Sequence, residues 1–263
     1  MGGAGTTYLL IPVYNEAANV GELIEDIDLH APQLASASNG RSLCAIFVDD
    51  GSTDDTSERI LASGPETPRV VLRHGRNRGP GHAFRTGFRH LHAQLDERDL
   101  VMTLEGDNTS RLETAAQMMV RMREGYDAVL ASPYAYGGGL RKTPLFREIL
   151  SYGANHFAPL FMGIQGIHTC SYFFRLYSGE LIGQLQQLYG SEIIEAAGFE
   201  CMVELLLKMM AVGARISEVE MQLDSSRRTG ASKMRVANTL LGYARVAANR
   251  HRWHRETVLL PQP

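Results

Sequence analysis

The stretch Leu100–Ser110, with the sequence LVMTLEGDNTS, decides the fold that this chain can adopt. It begins with an apolar run and ends in an acidic turn that contains Glu105 and Asp107. This order predicts a buried strand whose C-terminal end carries two carboxylates, at the edge where open α/β sheets bind ligands. Residues two positions apart point to the same side of an extended chain, and Gly106 between them allows the backbone to bend or to approach a ligand closely.

Two carboxylates that converge in this way repel each other unless a cation lies between them. Their oxygen atoms suit Mg²⁺ or Mn²⁺, which proteins hold with one or two carboxylates together with the phosphates of a substrate. We therefore predict that Glu105 and Asp107 are metal ligands. An alternative remains open, in which the turn only caps the helix that is predicted to begin near Arg111.

The rest of the chain alternates between short apolar strands and amphipathic helices, which indicates βαβ units, a parallel sheet and right-handed crossovers. The predicted strands cover residues 8–13, 43–48, 70–72, 100–104, 127–131, 170–176 and 216–223. The predicted helices cover residues 20–30, 54–62, 83–91, 111–123, 145–160, 199–212 and 234–248. Residues 31–41 are expected to form a polar connector, and residues 133–143 a loop in which three consecutive glycines favour mobility.

The composition excludes several classes of protein. A net charge of −3 gives no electrostatic footprint for nucleic acid, so we expect no nucleic-acid partner. Three widely separated cysteines without CxxC spacing argue against a zinc site or a disulfide framework and favour a reduced, cytoplasmic compartment. The N-terminal residues lack the pattern of a signal peptide, and the longest apolar stretches are too short to span a bilayer, so we expect no integral membrane protein.

Acidic or glycine-rich turns follow four successive predicted strands, and a parallel sheet gathers such turns at one edge. Taken singly, each turn is a weak signal. Residues 49–52 (DDGS) are more typical of a helix-capping turn, and residues 77–81 (NRGPG) do not extend to a dinucleotide fingerprint because Phe84 occupies the place of its third glycine. The chain also has no P-loop lysine motif, which argues against ATP-driven phosphoryl transfer. Together, the turns predict one pocket built from several loops.

Five segments occur in an order and at a spacing that resemble glycosyltransferase family 2, in particular its dolichyl- or polyprenyl-phosphate mannose synthase branch. They are residues 10–20 (LIPVYNEAANV), 48–56 (VDDGSTDDT), 77–87 (NRGPGHAFRTG), 105–107 (EGD) and 228–233 (RTGASK). The resemblance implies a GT-A fold, a Rossmann-like α/β architecture in which helices flank a mainly parallel central sheet. It also implies a GDP- or UDP-sugar donor, a divalent cation (Mg²⁺ or Mn²⁺) and inversion at the anomeric carbon.

The same resemblance divides the chain into a GT-A glycosyltransferase domain, residues 1–223, and a C-terminal part, residues 224–263. Within the domain, residues 1–132 form the nucleotide-binding half and residues 133–223 the acceptor half. The C-terminal part comprises a phosphate-binding loop and an amphipathic tail helix, whose apolar residues are Val236, Leu240, Leu241, Tyr243 and Val246. We expect this helix either to pack on the domain or on a homodimer partner, or to contact a membrane surface peripherally.

The resemblance also assigns roles to individual residues. Those expected to line the nucleoside pocket are Pro12, Tyr14, Asn15 and Glu16. Asp50 is expected to hydrogen-bond the base, and Gly79 with Gly81 to let the backbone approach it. Glu105 and Asp107 stand at the carboxylate positions of the family's DxD motif, beside the donor. The residues that match the family's phosphate-binding and acceptor segments are Arg228, Ser232 and Lys233 for the first and Arg147 for the second.

Three departures from the family's pattern bear on the substrate. Glu105 replaces the first aspartate of the DxD motif, and residues 132–134 (SPY) and 169–174 (TCSYFF) replace segments that carry an arginine and an aspartate. Because the last two remove charge from the acceptor side, we expect a hydroxyl-bearing small-molecule acceptor, with a polyprenyl phosphate as the alternative. A catalytically silent nucleotide-sugar-binding protein is the alternative of another class. A nucleotidyltransferase is disfavoured, since the N-terminal part has no glycine-rich diphosphate loop.

A hydroxyl acceptor needs a general base, whereas a phosphate acceptor is already largely ionised near neutral pH. Glu200 stands at the position of the acidic catalytic residue in many relatives, so we assign it this role, with Asp107 as the other catalytic residue. His168 and Glu204 are weaker candidates for the base. Capping of the helix that begins there is the alternative role for Glu200.

Overall fold

The computed structural model describes residues 4–64, 66–141, 162–227, 229 and 236–258. The predicted helix over residues 145–160 lies outside this part of the chain. So do four of the predicted site residues, Arg147, Arg228, Ser232 and Lys233.

A central sheet of seven strands organises the molecule. Its strands are β1 (Thr6–Val13), β2 (Ser42–Asp49), β3 (Arg69–Arg73), β4 (Leu100–Thr103), β5 (Ala128–Ser132), β7 (Arg175–Ser178) and β8 (Ile216–Glu220). They lie in the order β3-β2-β1-β4-β7-β5-β8, and β7 is antiparallel to both of its neighbours while the other pairs are parallel. Two short strands, β6 (Gly139–Arg141) and β9 (Gln222–Asp224), form a separate parallel pair. The prediction of a mainly parallel central sheet is therefore confirmed.

Helices cover both faces of this sheet. They are α1 (Val20–Ala37), α2 (Thr56–Ala62), α3 (Pro80–His92), α4 (Glu113–Arg123), α5 (Gly179–Tyr189), α6 (Cys201–Ala211) and α7 (Val236–Val258), with a short 3₁₀ helix at Gly190–Glu192. Along β1, Leu10 belongs to the apolar cluster beneath α3, α5, α6 and α7, whereas Leu9 and Ile11 belong to the cluster beneath α1, α2 and α4. Because successive side chains of a strand face opposite sides, a strand covered on both sides is apolar throughout, and this is why the central strands could be predicted.

Helix α1 is longer than predicted. It continues through Pro32 to Ala37, so most of the predicted connector over residues 31–41 is helical. Proline lacks a backbone donor and ordinarily ends a helix. Here Ile27 and Leu34 are both buried at helical spacing, so tertiary packing outweighs the cost of the proline.

Helix α5 forms where the sequence pattern predicts no element. Its N-terminus is capped by Ser178, whose side chain accepts a hydrogen bond from the Leu181 N–H group at 3.1 Å, and Gly190 follows its last residue. Leu181 and Leu185 are buried on its inner face. Serine before a helix and glycine after it are standard boundary signals, so these caps mark α5 in the sequence.

Two predicted strands and one predicted loop also differ from the structure. Strand β7 begins at Arg175, later than the predicted residues 170–176, and β6 forms inside the predicted loop over residues 133–143. The predicted strand over residues 216–223 divides into β8 and β9 at Met221, whose N–H group donates to the Ser132 carbonyl at 3.0 Å. The chain leaves the central sheet there because β9 pairs with β6 instead.

The tail helix α7 packs on the domain and runs to Val258, beyond the predicted end at residue 248. Tyr243, Val246 and Trp253 are buried in the same apolar cluster as α6, whereas Leu241 is 58% exposed. Contact of this helix with a homodimer partner or with a membrane surface stays a prediction. Among the described helices, none combines the length and the apolar character needed to cross a membrane.

Candidate functional site

The end of β1 is where the predicted turns meet. The Asp50 N–H group donates to the Val13 carbonyl oxygen at 2.9 Å, so the turn after β2 lies against this strand. On the other side, a β-carbon at Gly106 would lie only 2.7 Å from the Pro12 carbonyl oxygen, which leaves room for glycine alone. The Asp50 turn and the Glu105–Asp107 turn therefore flank the same carboxyl end of the central strand.

The acidic turn after β4 is held by its own hydroxyl groups. Glu105 accepts a hydrogen bond from the Ser110 hydroxyl and another from the Phe173 N–H group at 2.9 Å. Asp107 accepts from the Thr109 hydroxyl at 2.6 Å and is buried. Burial of the Glu105 carboxyl away from water raises its pKa, and the nearby negative charge of Asp107 raises it further. The two carboxylates are thus close enough to repel each other.

This donor set fits a magnesium or manganese ion. It consists of hard oxygen atoms, and a divalent cation would offset the repulsion between Glu105 and Asp107. In the part of the chain that the structure describes, no third His, Cys, Asp or Glu residue joins them to form a complete cage. Mg²⁺ held by one or two carboxylates commonly completes its coordination with substrate phosphates and water.

Asp50 shapes the loop between β3 and α3. Its buried carboxylate accepts hydrogen bonds from the N–H groups of Arg78 at 3.0 Å and Gly79 at 2.7 Å. The ring atom Nδ1 of His74 lies 2.7 Å from the same carboxylate, and Nε2 lies 2.9 Å from the Thr86 hydroxyl. Asp50 thus holds the loop in place through the backbone N–H groups of the loop. Its hydrogen bond to a nucleoside base stays a prediction.

Gly79 and Gly81 pack directly against backbone atoms of a segment that is distant in the sequence. The Gly81 N–H group donates to the Ala197 carbonyl oxygen at 2.9 Å. A β-carbon at Gly81 would overlap the carbonyl oxygen of Ala196, and one at Gly79, where φ is 97°, would overlap that of Ala197. Glycine is therefore required at both positions by packing within the protein, whether or not a base also approaches them.

The turn between β1 and α1 is tied to the turn between β2 and α2. The Asn15 N–H group donates to the Ser52 hydroxyl at 2.9 Å, and the Asn15 side-chain oxygen accepts from the Thr53 N–H group at 2.8 Å. The Glu16 N–H group donates to the Thr56 hydroxyl at 2.8 Å. This segment holds the predicted nucleoside-pocket residues Pro12, Tyr14, Asn15 and Glu16.

Asn19 connects this turn to the C-terminal part of the chain, a role that the sequence did not indicate. Its amide oxygen accepts from the Thr229 N–H group at 2.9 Å, and its amide nitrogen lies 3.3 Å from the Thr229 carbonyl oxygen and 2.5 Å from the Glu16 carboxylate. Beside it, Arg227 and Glu22 form an ion pair at 3.1 Å. Thr229, in the predicted phosphate-binding segment, is therefore docked next to the predicted nucleoside pocket.

An aromatic row links the acidic turn to Glu200. The ring of Phe173, whose N–H group donates to Glu105, lies edge-on to Phe84 with centroids 4.9 Å apart and is stacked on Phe199 at 5.5 Å. Glu200 follows Phe199 directly. Within the described residues its side chain makes no capping hydrogen bond to α6, because Oε1 accepts from the Gly198 N–H group at 3.2 Å instead. Glu200 still occupies the N-cap position of α6, where a negative charge is favourable, so its roles as a base and as a helix cap both stay predictions.

Helix α7 packs directly against Glu200. A β-carbon at Gly242 would lie 2.6 Å from Glu200 Oε2, so the helix backbone touches this carboxylate. The next residue, Tyr243, is buried, and burial raises the pKa of its hydroxyl to about 12 against the opposing effect of a hydrogen bond with the Ser171 side chain. The tail helix therefore borders the side of the site at which the acceptor is expected.

The two weaker base candidates occupy different surroundings. Glu204 is buried, and its oxygens accept from Lys208 Nζ at 2.7 Å and from the N–H groups of Glu195 and Ala196 at 2.8 and 2.7 Å. Burial raises the pKa of Glu204, and the adjacent Lys208 charge opposes this effect. His168 is exposed. Because its carboxylate oxygens are engaged inside the protein, Glu204 is poorly placed to accept a proton from a substrate.

Comparison with known proteins now decides the family. The family model for Glycosyl transferase family 2 matches residues 8–185, which run from β1 into α5 and include the turns that carry Asp50, Gly79 and Glu105. The chain belongs to glycosyltransferase family 2. It is therefore an enzyme of the glycosyltransferase class, and the resemblance seen in the sequence is confirmed.

The chain is similar over most of its length to two curated family members. It is 26% identical over 239 residues to the polyprenol monophosphomannose synthase of Mycolicibacterium smegmatis, an alignment that covers 88% of this chain and 82% of the relative. It is 25% identical over 248 residues to the dolichol-phosphate mannosyltransferase of Pyrococcus furiosus, which covers 94% of this chain but only 64% of that longer relative.

Solved structures show that the fold is GT-A. A glucosyl-3-phosphoglycerate synthase from Mycobacterium tuberculosis, crystallised with Mn²⁺, UDP and phosphoglyceric acid, superposes with a TM-score of 0.61 at 17% identity, over 98% of this chain and 80% of that one. A mannosyltransferase from Pyrobaculum calidifontis in complex with GDP-Man and Mn²⁺ gives a TM-score of 0.55 at 16% identity, over 98% and 65%. At such identities the likeness establishes the fold, which is the predicted one.

Proposed function

We propose that this glycosyltransferase moves a sugar from a GDP- or UDP-sugar to a hydroxyl group of a small-molecule acceptor, with inversion at the anomeric carbon. One observation carries the proposal: the Glu105–Asp107 turn and the loop anchored by Asp50 lie against the same carboxyl end of β1. A donor that spans this edge would place its nucleoside by the loop and its diphosphate by the two carboxylates.

Glu105 and Asp107 would hold Mg²⁺ or Mn²⁺, and Mn²⁺ is present in both crystallised neighbours named above. The bound cation supplies electrostatic stabilisation of the charge that develops on the leaving diphosphate. Arg228, Ser232 and Lys233, assigned by the family resemblance, would share this task as donors of charged and neutral hydrogen bonds. Asp107 is the member of the pair to which we assign the catalytic role.

Glu200 would act as the general base on the opposite side of the sugar. As the acceptor oxygen forms its bond to the anomeric carbon, the bond from that carbon to the diphosphate oxygen breaks, and the acceptor proton passes to the Glu200 carboxylate. Attack on the face away from the leaving group gives inversion. Arg147 would bind the acceptor.

The proposal of a hydroxyl-bearing acceptor rests on uncharged side chains in the predicted acceptor half. On the acceptor side, the hydroxyl groups of Ser132 and Thr169 are fully buried and lie 2.7 Å apart, so they satisfy each other and bring no charge to a phosphate. A polyprenyl phosphate is the second candidate acceptor, favoured by the names of the two curated relatives. Peripheral membrane contact through α7 would accompany it, and a homodimer stays a prediction.

To test this proposal, the full chain is incubated with Mn²⁺ and with UDP-glucose or GDP-mannose as the donor. The acceptors offered are hydroxy acids, free sugars or a short polyprenyl phosphate in detergent. Nucleoside diphosphate release and the mass of the product are measured. We expect a glycosylated hydroxy compound that disappears on removal of Mn²⁺ and in Asp107→Asn. Product on the polyprenyl phosphate alone would establish the second candidate, and tight nucleotide binding without turnover on any acceptor would indicate a silent binding protein.

A further inference from the structure

A buried ion pair in α6 joins Lys208, which is 0% exposed, to Glu204, which is 1% exposed. The Nζ atom lies 2.7 Å from Glu204 Oε1, and it also lies 4.7 Å from the ring centroid of Tyr189 and 5.3 Å from that of Trp253. The lysine charge is therefore enclosed by α5, α6 and α7.

Stability alone is a weak explanation for such a pair. Removing two charges from water costs free energy, and buried pairs can often be replaced by apolar residues of similar volume without loss of stability. What an apolar pair cannot supply is hydrogen-bond acceptors. Glu204 accepts from the Glu195 N–H group with Oε1 and from the Ala196 N–H group with Oε2, so its two oxygens fix two successive peptide groups.

These peptide groups begin the segment that supports the glycine loop. The Ala197 carbonyl oxygen accepts from the Gly81 N–H group at 2.9 Å, and the Ala196 carbonyl oxygen occupies the space that a side chain at position 81 would need. On its other side the loop is held by Asp50, which accepts from the Gly79 N–H group at 2.7 Å. The glycine loop, residues 78–81, is thus clamped between Asp50 and the Ala196–Ala197 backbone.

We propose that Glu204 and Lys208 are positioning residues for the nucleotide donor. Lys208 compensates the charge of Glu204, Glu204 fixes the backbone of residues 195–197, and this backbone fixes the glycine loop from the side opposite Asp50. The inference rests on the proposed function, in which this loop receives the nucleoside of the donor. It assigns to the pair an effect on nucleotide binding that is separable from its effect on folding.

Two double variants distinguish the loss of the hydrogen-bond acceptor oxygens of Glu204 from the loss of the two charges of the pair. Glu204→Met with Lys208→Met removes both charges and both acceptor oxygens while filling the space with flexible apolar side chains. Glu204→Gln with Lys208→Met also removes the charges but keeps one acceptor oxygen. Glu195→Gln is the matched control, because it changes a carboxylate near Lys208 and leaves the backbone N–H bonds to Glu204 in place.

Two measurements are made on each folded variant. Amide hydrogen exchange of the peptide that contains residues 78–81 reports the clamp without any ligand, and titration calorimetry with UDP and GDP in the presence of Mn²⁺ reports nucleotide affinity. We expect faster exchange and an about tenfold higher Kd in the double methionine variant, a smaller change in the glutamine–methionine variant, and no change in Glu195→Gln.

Unchanged exchange at residues 78–81 in the double methionine variant would overturn the proposal, as would equal Kd values in the two double variants. If the double methionine variant does not fold, Glu204→Gln alone takes its place and is compared with Glu195→Gln by the same criteria. A wild-type chain that binds neither nucleotide would overturn the proposed function and with it the assignment to donor binding. Faster exchange in the variant would then still establish that the pair holds the loop.

Discussion

Gly81 offers a test of the site by a single methyl group. In Gly81→Ala the new β-carbon would overlap the Ala196 carbonyl oxygen, so the loop must move away from the backbone that supports it. We expect the Kd for UDP and GDP to rise by about tenfold or more in calorimetric titrations with Mn²⁺. Gly75→Ala is the matched control, since in the described part of the chain no atom lies within 4 Å of a β-carbon at that position. Equal changes in the two variants would contradict the role of the clamp.

Glu200 is tested by its closest isostere. Glu200→Gln keeps the volume that packs against Gly242 but cannot take up a proton, so we expect kcat to fall by about 10²- to 10⁴-fold while the Kd for the donor nucleotide stays unchanged. Steady-state kinetics with a saturating acceptor, together with calorimetry, separates these quantities. Turnover at the wild-type rate would remove Glu200 from the mechanism.

At the scale of residues, the sequence predicted those site positions that depend on local order. Asp50 follows β2 directly, Glu105 and Asp107 lie in the turn after β4, and the parallel topology brings these two turns together, while the roles of the three residues stay predictions. The contact of Gly81 with Ala196 was not predictable in the same way, because it joins segments far apart in the chain and no local pattern encodes such a pairing. The partner of Asn19 was missed for the same reason.

At the scale of elements, the link between α1 and the C-terminal segment gives a prediction about the diphosphate. Asn19 stands at the N-cap of α1, yet among the described residues its side chain makes no capping bond and holds the backbone of Thr229 instead. Asn19→Ala should therefore leave α1 largely intact and loosen the segment that leads to Ser232 and Lys233. We expect the Kd for UDP to rise by about tenfold and that for UMP to change less, as measured by calorimetry.

The control for this prediction is Glu22→Gln, which breaks the neighbouring ion pair with Arg227. Glu22 is 58% exposed at its side chain, and exposed pairs contribute little, so nucleotide binding should stay near the wild-type value. An equal loss of affinity for UDP and UMP in Asn19→Ala would show that Asn19 acts on the nucleoside pocket alone.

The elements themselves were predictable where one local signal dominates. Alternation of apolar strands with amphipathic helices predicted the seven strands of the central sheet, with different bounds for β7 and β8, and all of the described helices that cover it except α5. The direction of β7 was not predictable, because an apolar run indicates a buried strand without indicating which neighbours it pairs with. At Pro32 the local signal was misleading, since the buried Leu34 carries α1 past a residue that ordinarily ends a helix.

At the scale of the whole molecule, α7 belongs to the core of the protein. Trp253 is 2% exposed, and its Nε1–H group donates to Glu195 at 3.3 Å, whereas Leu241 on the same helix is 58% exposed. We therefore expect Trp253→Ala to lower the free energy of unfolding by about 3–5 kcal/mol and Leu241→Ala by less than about 0.5 kcal/mol. Urea unfolding followed by circular dichroism measures both, and equal effects would contradict the packing of this helix.

The same packing determines how membrane contact should be tested. A truncation at residue 234 would remove Tyr243, Val246 and Trp253 from the core, so loss of vesicle binding could simply reflect unfolding. Leu241→Ser changes an exposed apolar position and leaves these three residues in place. If α7 lies on a membrane through this face, binding of the full chain to anionic vesicles should weaken by about 10- to 100-fold in Leu241→Ser, since insertion of one leucine contributes about 1.5–3 kcal/mol. Equal co-sedimentation of the variant and the wild type would exclude membrane contact through Leu241. The packing of α7 against Glu200 would then be the role of this helix.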